Sequence, residues 1–190
     1  IWVILGLLCF VSALLIQLFL NLDTTSSTVQ TSVSSTQSSL SQIIGTTLTH
    51  PPIICLALVF ACYASQWTSV TSFLPSLYVE NGLSLKMTGL LVSLVVVANL
   101  GGTFGAGMLL QKGWTTQMLL TIGFVGMFVT SILTFTTNSW LPFEIQFLNA
   151  VLFSMIGGVI PTTIFSMTLH YAPFASAAAA SMGLVIQCSA

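Results

Sequence analysis

A chain of 190 residues, 55% hydrophobic, 3% charged and of net charge −1, lacks the material for a water-exposed surface, since soluble domains carry about a quarter of their residues as Asp, Glu, Lys and Arg. Its charges are Asp23, Glu80, Lys86, Lys112 and Glu144, with no arginine; a water-soluble fold and a nucleic-acid partner are therefore excluded, and lipid becomes the partner of the surface. Cys9, Cys55, Cys62 and Cys188 stand inside apolar runs without CxxC or Cys/His spacing, so no metal site, disulfide framework or cofactor is implied, and they read as small packing residues.

A helix needs about 20 apolar residues to cross a hydrocarbon core about 30 Å thick. Applied along the chain, that rule predicts an all-α, polytopic transmembrane helix bundle of about six spans, the first and last truncated. Span A is 1–20. It begins at Ile1 inside an apolar run with no basic leader, which argues against a signal peptide and for a piece of a longer protein.

Residues 21–50 differ in kind. Thr24 to Ser41 is nearly all Ser, Thr and Gln, too polar to bury the apolar surface that would offset its ordering entropy. A flexible linker is expected, separating span A from a bundle over 51–190. A mucin-like stalk is the rival reading, against which the prolines come only at Pro51-Pro52. The bundle contains span B at 53–79, C at 87–110, D at 115–135, E at 141–169 and F at 175–190. These runs are long and continuous, unlike the alternating ten-residue strands of a barrel, and helices satisfy their backbone polar groups within each segment.

Breakpoints have their own chemistry. Glu80-Asn81-Gly82 ends B, and Gln111-Lys112-Gly113 separates C from D with Thr115 as an N-cap. Thr136-Thr137-Asn138-Ser139 separates D from E, where Trp140 suits an interface and Pro142 a first helical turn. Pro173 separates E from F. Lys86 lies beside Glu80, which leaves Lys112 as the better vote for the cytoplasmic side, together with the 21–50 linker.

Span C holds two small-residue series, Ala98/Gly102/Ala106 and the GxxxG pair Gly101/Gly105, followed by Gly107. Small residues let helices approach closely in lipid, so this face is expected to pack, and in a moving protein to slide. Glu144 is the acidic residue inside a predicted span. It either faces the bundle interior, where burial would suit it to proton coupling, or sits at the interface one turn into E. Gln66 and Trp67 in B, Asn99 in C, and Gln146 and Asn149 in E either line an uncharged polar cavity or tie helices together. Pro75 and Pro161 lie within helical runs, and Pro161, following Gly157-Gly158, marks the stretch expected to deform most easily. Catalysis finds little support: His50 and His170 lie at span ends, and HExxH, GxSxG and paired carboxylates are absent.

The pattern Phe73-Leu74-Pro75-Ser76-Leu77-Tyr78 before Glu80-Asn81-Gly82-Leu83-Ser84 resembles the end of helix seven in major facilitator superfamily transporters. Gly107 to Gly113 is similar to that superfamily's loop motif GxxxD(R/K)xGR, with Gly107 as the first glycine, Gln111 in place of the aspartate, Lys112 as the basic residue and Gly113 as the second glycine. One position, the aspartate and the trailing arginine are missing. Gly157-Gly158-Val159-Ile160-Pro161 and Gly183-Leu184-Val185-Ile186-Gln187 resemble helices ten and eleven of the branch that includes cyanate permeases. The resemblance implies that A is helix six, 21–50 the central cytoplasmic loop, and B to F helices seven to eleven of the C-terminal half. It further implies that B, C, E and F surround a cavity for a small-molecule substrate, with D peripheral and the N-terminal half of the same protein as a missing partner. The expected activity is secondary transport by alternating access. The alternative is a structural or assembly subunit of a membrane complex, in which the polar residues are only helix glue.

Overall fold

The computed structural model describes residues 40–135, 142–174 and 177–188; span A, residues 21–39, the break at Thr136–Ser139 with Trp140, and Ala175 at the start of span F lie outside them. The described residues form seven α-helices and no strand: α1 Leu40–Thr49, α2 Pro51–Glu80, α3 Leu85–Gln111, α4 Thr116–Phe135, α5 Phe143–Gly157, α6 Val159–His170 and α7 Ala178–Gln187. Four stretches are long and apolar enough to cross a membrane, namely α2, α3, α4, and α5 with α6 taken together, while α7 is a shorter apolar helix. The chain is an all-α membrane helix bundle.

One expectation is corrected at the start. Leu40–Thr49 is helical, where the composition predicts a flexible linker as far as residue 50. Ile43, Ile44 and Leu48 recur at helical spacing there, and threonine is compatible with the helix because its hydroxyl bonds back to its own backbone. Thr47 Oγ1 donates to the Ile43 carbonyl at 2.9 Å, and Thr49 Oγ1 to that of Gly45 at 3.0 Å.

Helix α2 starts two residues before the expected boundary, because Pro51 and Pro52 occupy its first turn, where a missing N–H costs nothing and φ is already helical. Its other end and the end of α3 are the same construction. Gly82 N–H donates to Val79 O at 2.9 Å and Leu83 N–H to Tyr78 O at 3.2 Å; Gly113 N–H donates to Leu110 O at 3.0 Å and Trp114 N–H to Leu109 O at 3.1 Å. Both are Schellman closures, with glycine at φ +82° and +87°. In each the next residue caps the following helix: Ser84 Oγ accepts from Met87 N–H and Thr115 Oγ1 from Met118 N–H, both at 3.4 Å.

The last long span is interrupted at Gly158. Pro161 has no N–H to give the Gly157 carbonyl, yet Gly158 keeps right-handed helical angles (φ −63°, ψ −19°) and its N–H donates to Ser154 O at 3.1 Å. The interruption is a lost hydrogen bond within one rod, not an unwound segment.

Packing follows the small residues. Helix α3 buries Thr88, Val95, Gly102 and Ala106, a narrow seam against α5 and α6. A Cβ on Gly102 would collide with the Met155 carbonyl and lie 3.3 Å from the Gly158 α-carbon. A Cβ at Gly101, Gly105 or Gly107 would meet no described residue within 4 Å, so Gly102 and the buried Ala106 make the close contact among the described helices, and the expected GxxxG pair does not. Helix α4 packs on α5 and α6, with Gly123 against Ile160 and Gly126 against Ile156. Helix α7 packs on α2, burying Ser181 and Val185. Tyr78, Phe124, Phe153, Leu74 and Ile160 fill the centre, while Leu58, Phe73, Val97, Leu100, Phe104 and Met108 are exposed. Water would penalise that outer surface; lipid tails accept it.

Candidate functional site

Helices α2 and α3 and the α5–α6 rod carry polar side chains near their midpoints, where hydrocarbon offers them no other partner. Asn99 of α3 stands at the centre of this group. Its Nδ2 donates to the Ser154 carbonyl of α5 at 3.0 Å, and the Tyr63 hydroxyl of α2 lies near its side chain. Ser154 Oγ donates in turn to the Val95 carbonyl of α3. One turn along α3, Thr103 Oγ1 donates to Gly158 O at 3.3 Å, and Thr162 Oγ1 of α6 reaches Thr103 O at 3.4 Å.

From the other side, Trp67 lies half-buried with its ring parallel to that of Phe153, at 3° and 6.1 Å between centroids. A side chain at Gly157 would come within 3.7 Å of the Trp67 ring. Trp67 and Asn99 thus both meet the Phe153–Gly158 stretch, one from α2 and one from α3. Gln66 precedes Trp67 and is 2% exposed, and Tyr63 sits one turn earlier on the same helix.

The remaining expected cavity residues lie nearer one end of the span. Asn149 and Gln146 are buried on α5, and Asn149 Nδ2 donates to its own helix at Ile145 O, 2.9 Å away. At 1.5 Å per residue, Gln146 is about 12 Å and Glu144 about 15 Å along the axis from Ser154. Glu144 is exposed in the first turn of α5, where a carboxylate complements the helix N-terminus. It does not enter the interior formed by the described helices. Lys112 caps α3 and is exposed, as is Gly113, and Pro161 is half-buried beside the interruption. The described charged residues, Glu80, Lys86, Lys112 and Glu144, are all exposed near helix ends, so the mid-span group offers neutral donors, acceptors and aromatic faces.

A groove of about 530 Å³ runs between α1 and α7, lined by Ile43, Thr47, Leu48, Ala180, Gly183 and Leu184 among others. None of the residues expected to contact a substrate lines it.

Sequence reasoning passed over Tyr63 and Ser154. A signal for Tyr63 exists, since it falls one turn before Gln66 and Trp67 within an apolar run. Ser154 is one turn before Gly158, and nothing in its local sequence distinguishes it from a serine bonded to its own helix.

The sequence matches the family described as Major Facilitator Superfamily over residues 1–190. No curated protein and no solved structure matches the chain.

Proposed function

The chain belongs to the Major Facilitator Superfamily, whose members are secondary transporters of small solutes, and from that premise we propose that it works by alternating access as part of the C-terminal half of such a transporter. The family match across residues 1–190 carries this reading. The motif resemblances at Phe73–Ser84 and Gly107–Gly113 support the assignment of helices six to eleven, and those at Gly157–Pro161 and Gly183–Gln187 a position near the cyanate-permease branch. In this reading residues 1–20 are the last helix of the preceding half, 21–50 the central cytoplasmic loop, and the Lys112 turn faces the cytoplasm. The protein is an integral, multi-pass membrane protein; its place is the cell membrane.

The substrate-facing residues we assign are Gln66, Trp67 and Asn99 at the middle of the spans, with Gln146, Asn149 and Glu144 along the path toward one end. A small solute meets hydrogen-bonding amides and an aromatic face there. The substrate's complementary surface comes from the N-terminal half. Glu144, exposed in the first turn of α5, lacks the burial that would suit it to proton coupling.

One observation favours the rival structural role: Asn99 and Asn149 both spend an amide N–H on a backbone carbonyl, as helix glue would. Substitution separates the two readings. In the full-length protein, Gln66→Ala and Asn99→Ala should each lower substrate uptake at least about tenfold while leaving membrane expression intact, the loss expected for a buried polar contact to substrate. Normal uptake in both variants removes these residues from the site.

A further inference from the structure

Proline within a membrane helix leaves a carbonyl without its donor, and such a place is ordinarily read as a joint. The surroundings of Pro161 are unlike those of a joint. Ser154 O accepts both Gly158 N–H at 3.1 Å and Asn99 Nδ2 at 3.0 Å. Gly158 O lies 3.3 Å from Thr103 Oγ1, whose one proton is shared with Asn99 O at 3.1 Å on its own helix, and 3.4 Å from Thr162 Oγ1. Thr162 Oγ1 also reaches Thr103 O at 3.4 Å, and Ser154 Oγ donates to Val95 O. The partners fall at 95, 99 and 103 on one helix and at 154, 158 and 162 on the other, one rung per turn along two parallel rods.

Between the rungs the backbones touch. A Cβ on Gly158 would run into the Asn99 carbonyl and lie 2.9 Å from Thr103 N, and one on Gly102 would strike the Met155 carbonyl. Bending at Gly158 would either open several of these bonds together or drive backbone into backbone.

We infer that α3 is a splint for the interrupted rod: α3, α5 and α6 move as one rigid body, Gly158 is not a hinge, and Thr103 is the positioning residue that holds the interruption straight. Pro161 then marks where the rod gave up an internal bond while the neighbouring helix took over its support. Deformation during any conformational cycle falls at other contacts of the bundle.

The test is hydrogen–deuterium exchange on the full-length protein in lipid nanodiscs, following peptides that cover Ser154–Phe165 and, as a reference, Leu119–Thr130. No substrate is needed, so the outcome is independent of the transport reading. Amides just after Gly158 should exchange as slowly as those just before it. Thr103→Val, which keeps the side-chain shape and removes the donor, should speed their exchange about tenfold and leave the reference peptide unchanged. Thr103→Ser should restore the slow rate. Pro161→Ala returns the missing N–H and should alter protection by less than about twofold, because the rod is already held. Fast exchange after Gly158 in the unaltered protein overturns the splint, as does a large gain of protection in Pro161→Ala. Unchanged exchange in Thr103→Val removes Thr103 from the role. Should Thr103→Val fail to fold, the unaltered protein and Pro161→Ala still decide.

Discussion

Gly102 and Gly101 are neighbours in sequence and opposites in environment. Gly102 faces the Met155 carbonyl and the Gly158 α-carbon, whereas no described residue would lie within 4 Å of a Cβ at Gly101 or Gly105. Gly102→Ala should therefore destabilise the bundle by roughly 1–3 kcal/mol, the usual cost of overpacking. Gly101→Ala and Gly105→Ala should be neutral or slightly stabilising through higher helix propensity. Thermal unfolding of the detergent-solubilised protein would show the contrast, and equal loss in all three would contradict the packing described. The sequence displays both small-residue series, and their spacing alone does not say which faces a partner, because that depends on how α3 is rotated. The same limit applied to the polar residues. Thr71, Thr121, Thr130, Thr163 and Thr168 all donate to the carbonyl four residues earlier, so a threonine in a span is no sign of a cavity. Asn99 differs, because its amide reaches another helix.

The elements themselves were largely readable. Long apolar runs locate α2, α3 and α4 within two residues at either end, and the place of Thr115 at the head of span D predicts the cap that it forms. The misses have physical causes. Helix α1 hides in a Ser/Thr-rich stretch because hydroxyls bonded to their own helix cost little. Span E divides into α5 and α6, since a proline's missing N–H is felt four residues upstream, at Gly157. The twin turns give a prediction at this scale. Gly82→Ala and Gly113→Ala place a Cβ at positive φ, and each should cost roughly 1–2 kcal/mol. Ser84→Ala and Thr115→Ala should cost about 1 kcal/mol through loss of the cap. Detergent-solubilised variants whose melting temperatures match the parent would show that these ends are not held as described.

For the molecule as a whole, the apolar side chains that a soluble domain hides also form the outer surface of α3, while Tyr63 and Gln66 are buried and Asn99 half-buried among apolar neighbours, an inversion of a soluble domain's polar exterior. That inversion was legible from composition; the convergence of three helices on Ser154 and Gly158 was not, because the contacts span more than fifty residues of sequence. Sidedness is open to direct measurement. In a background with the native cysteines replaced, Asn81→Cys and Lys112→Cys should react with a membrane-impermeant maleimide from opposite faces, with Lys112→Cys protected in intact cells. Labelling of both from one face would contradict a membrane-crossing α3, and labelling of Lys112→Cys from outside would reverse the proposed orientation.

The two tight turns also set limits on choreography. Each joins successive spans through four residues, Asn81–Ser84 and Lys112–Thr115, and each is folded tight by a Schellman pair of hydrogen bonds, well short of the about 18 Å that its five Cα–Cα steps could span if stretched. With so little slack, α2, α3 and α4 resemble the panels of a folding screen. Neighbouring panels can swing about their shared edge, whereas sliding one lengthwise past the next would first have to break the hydrogen bonds that close the turn, so a piston-like stroke by any one of these three helices costs more than a swing.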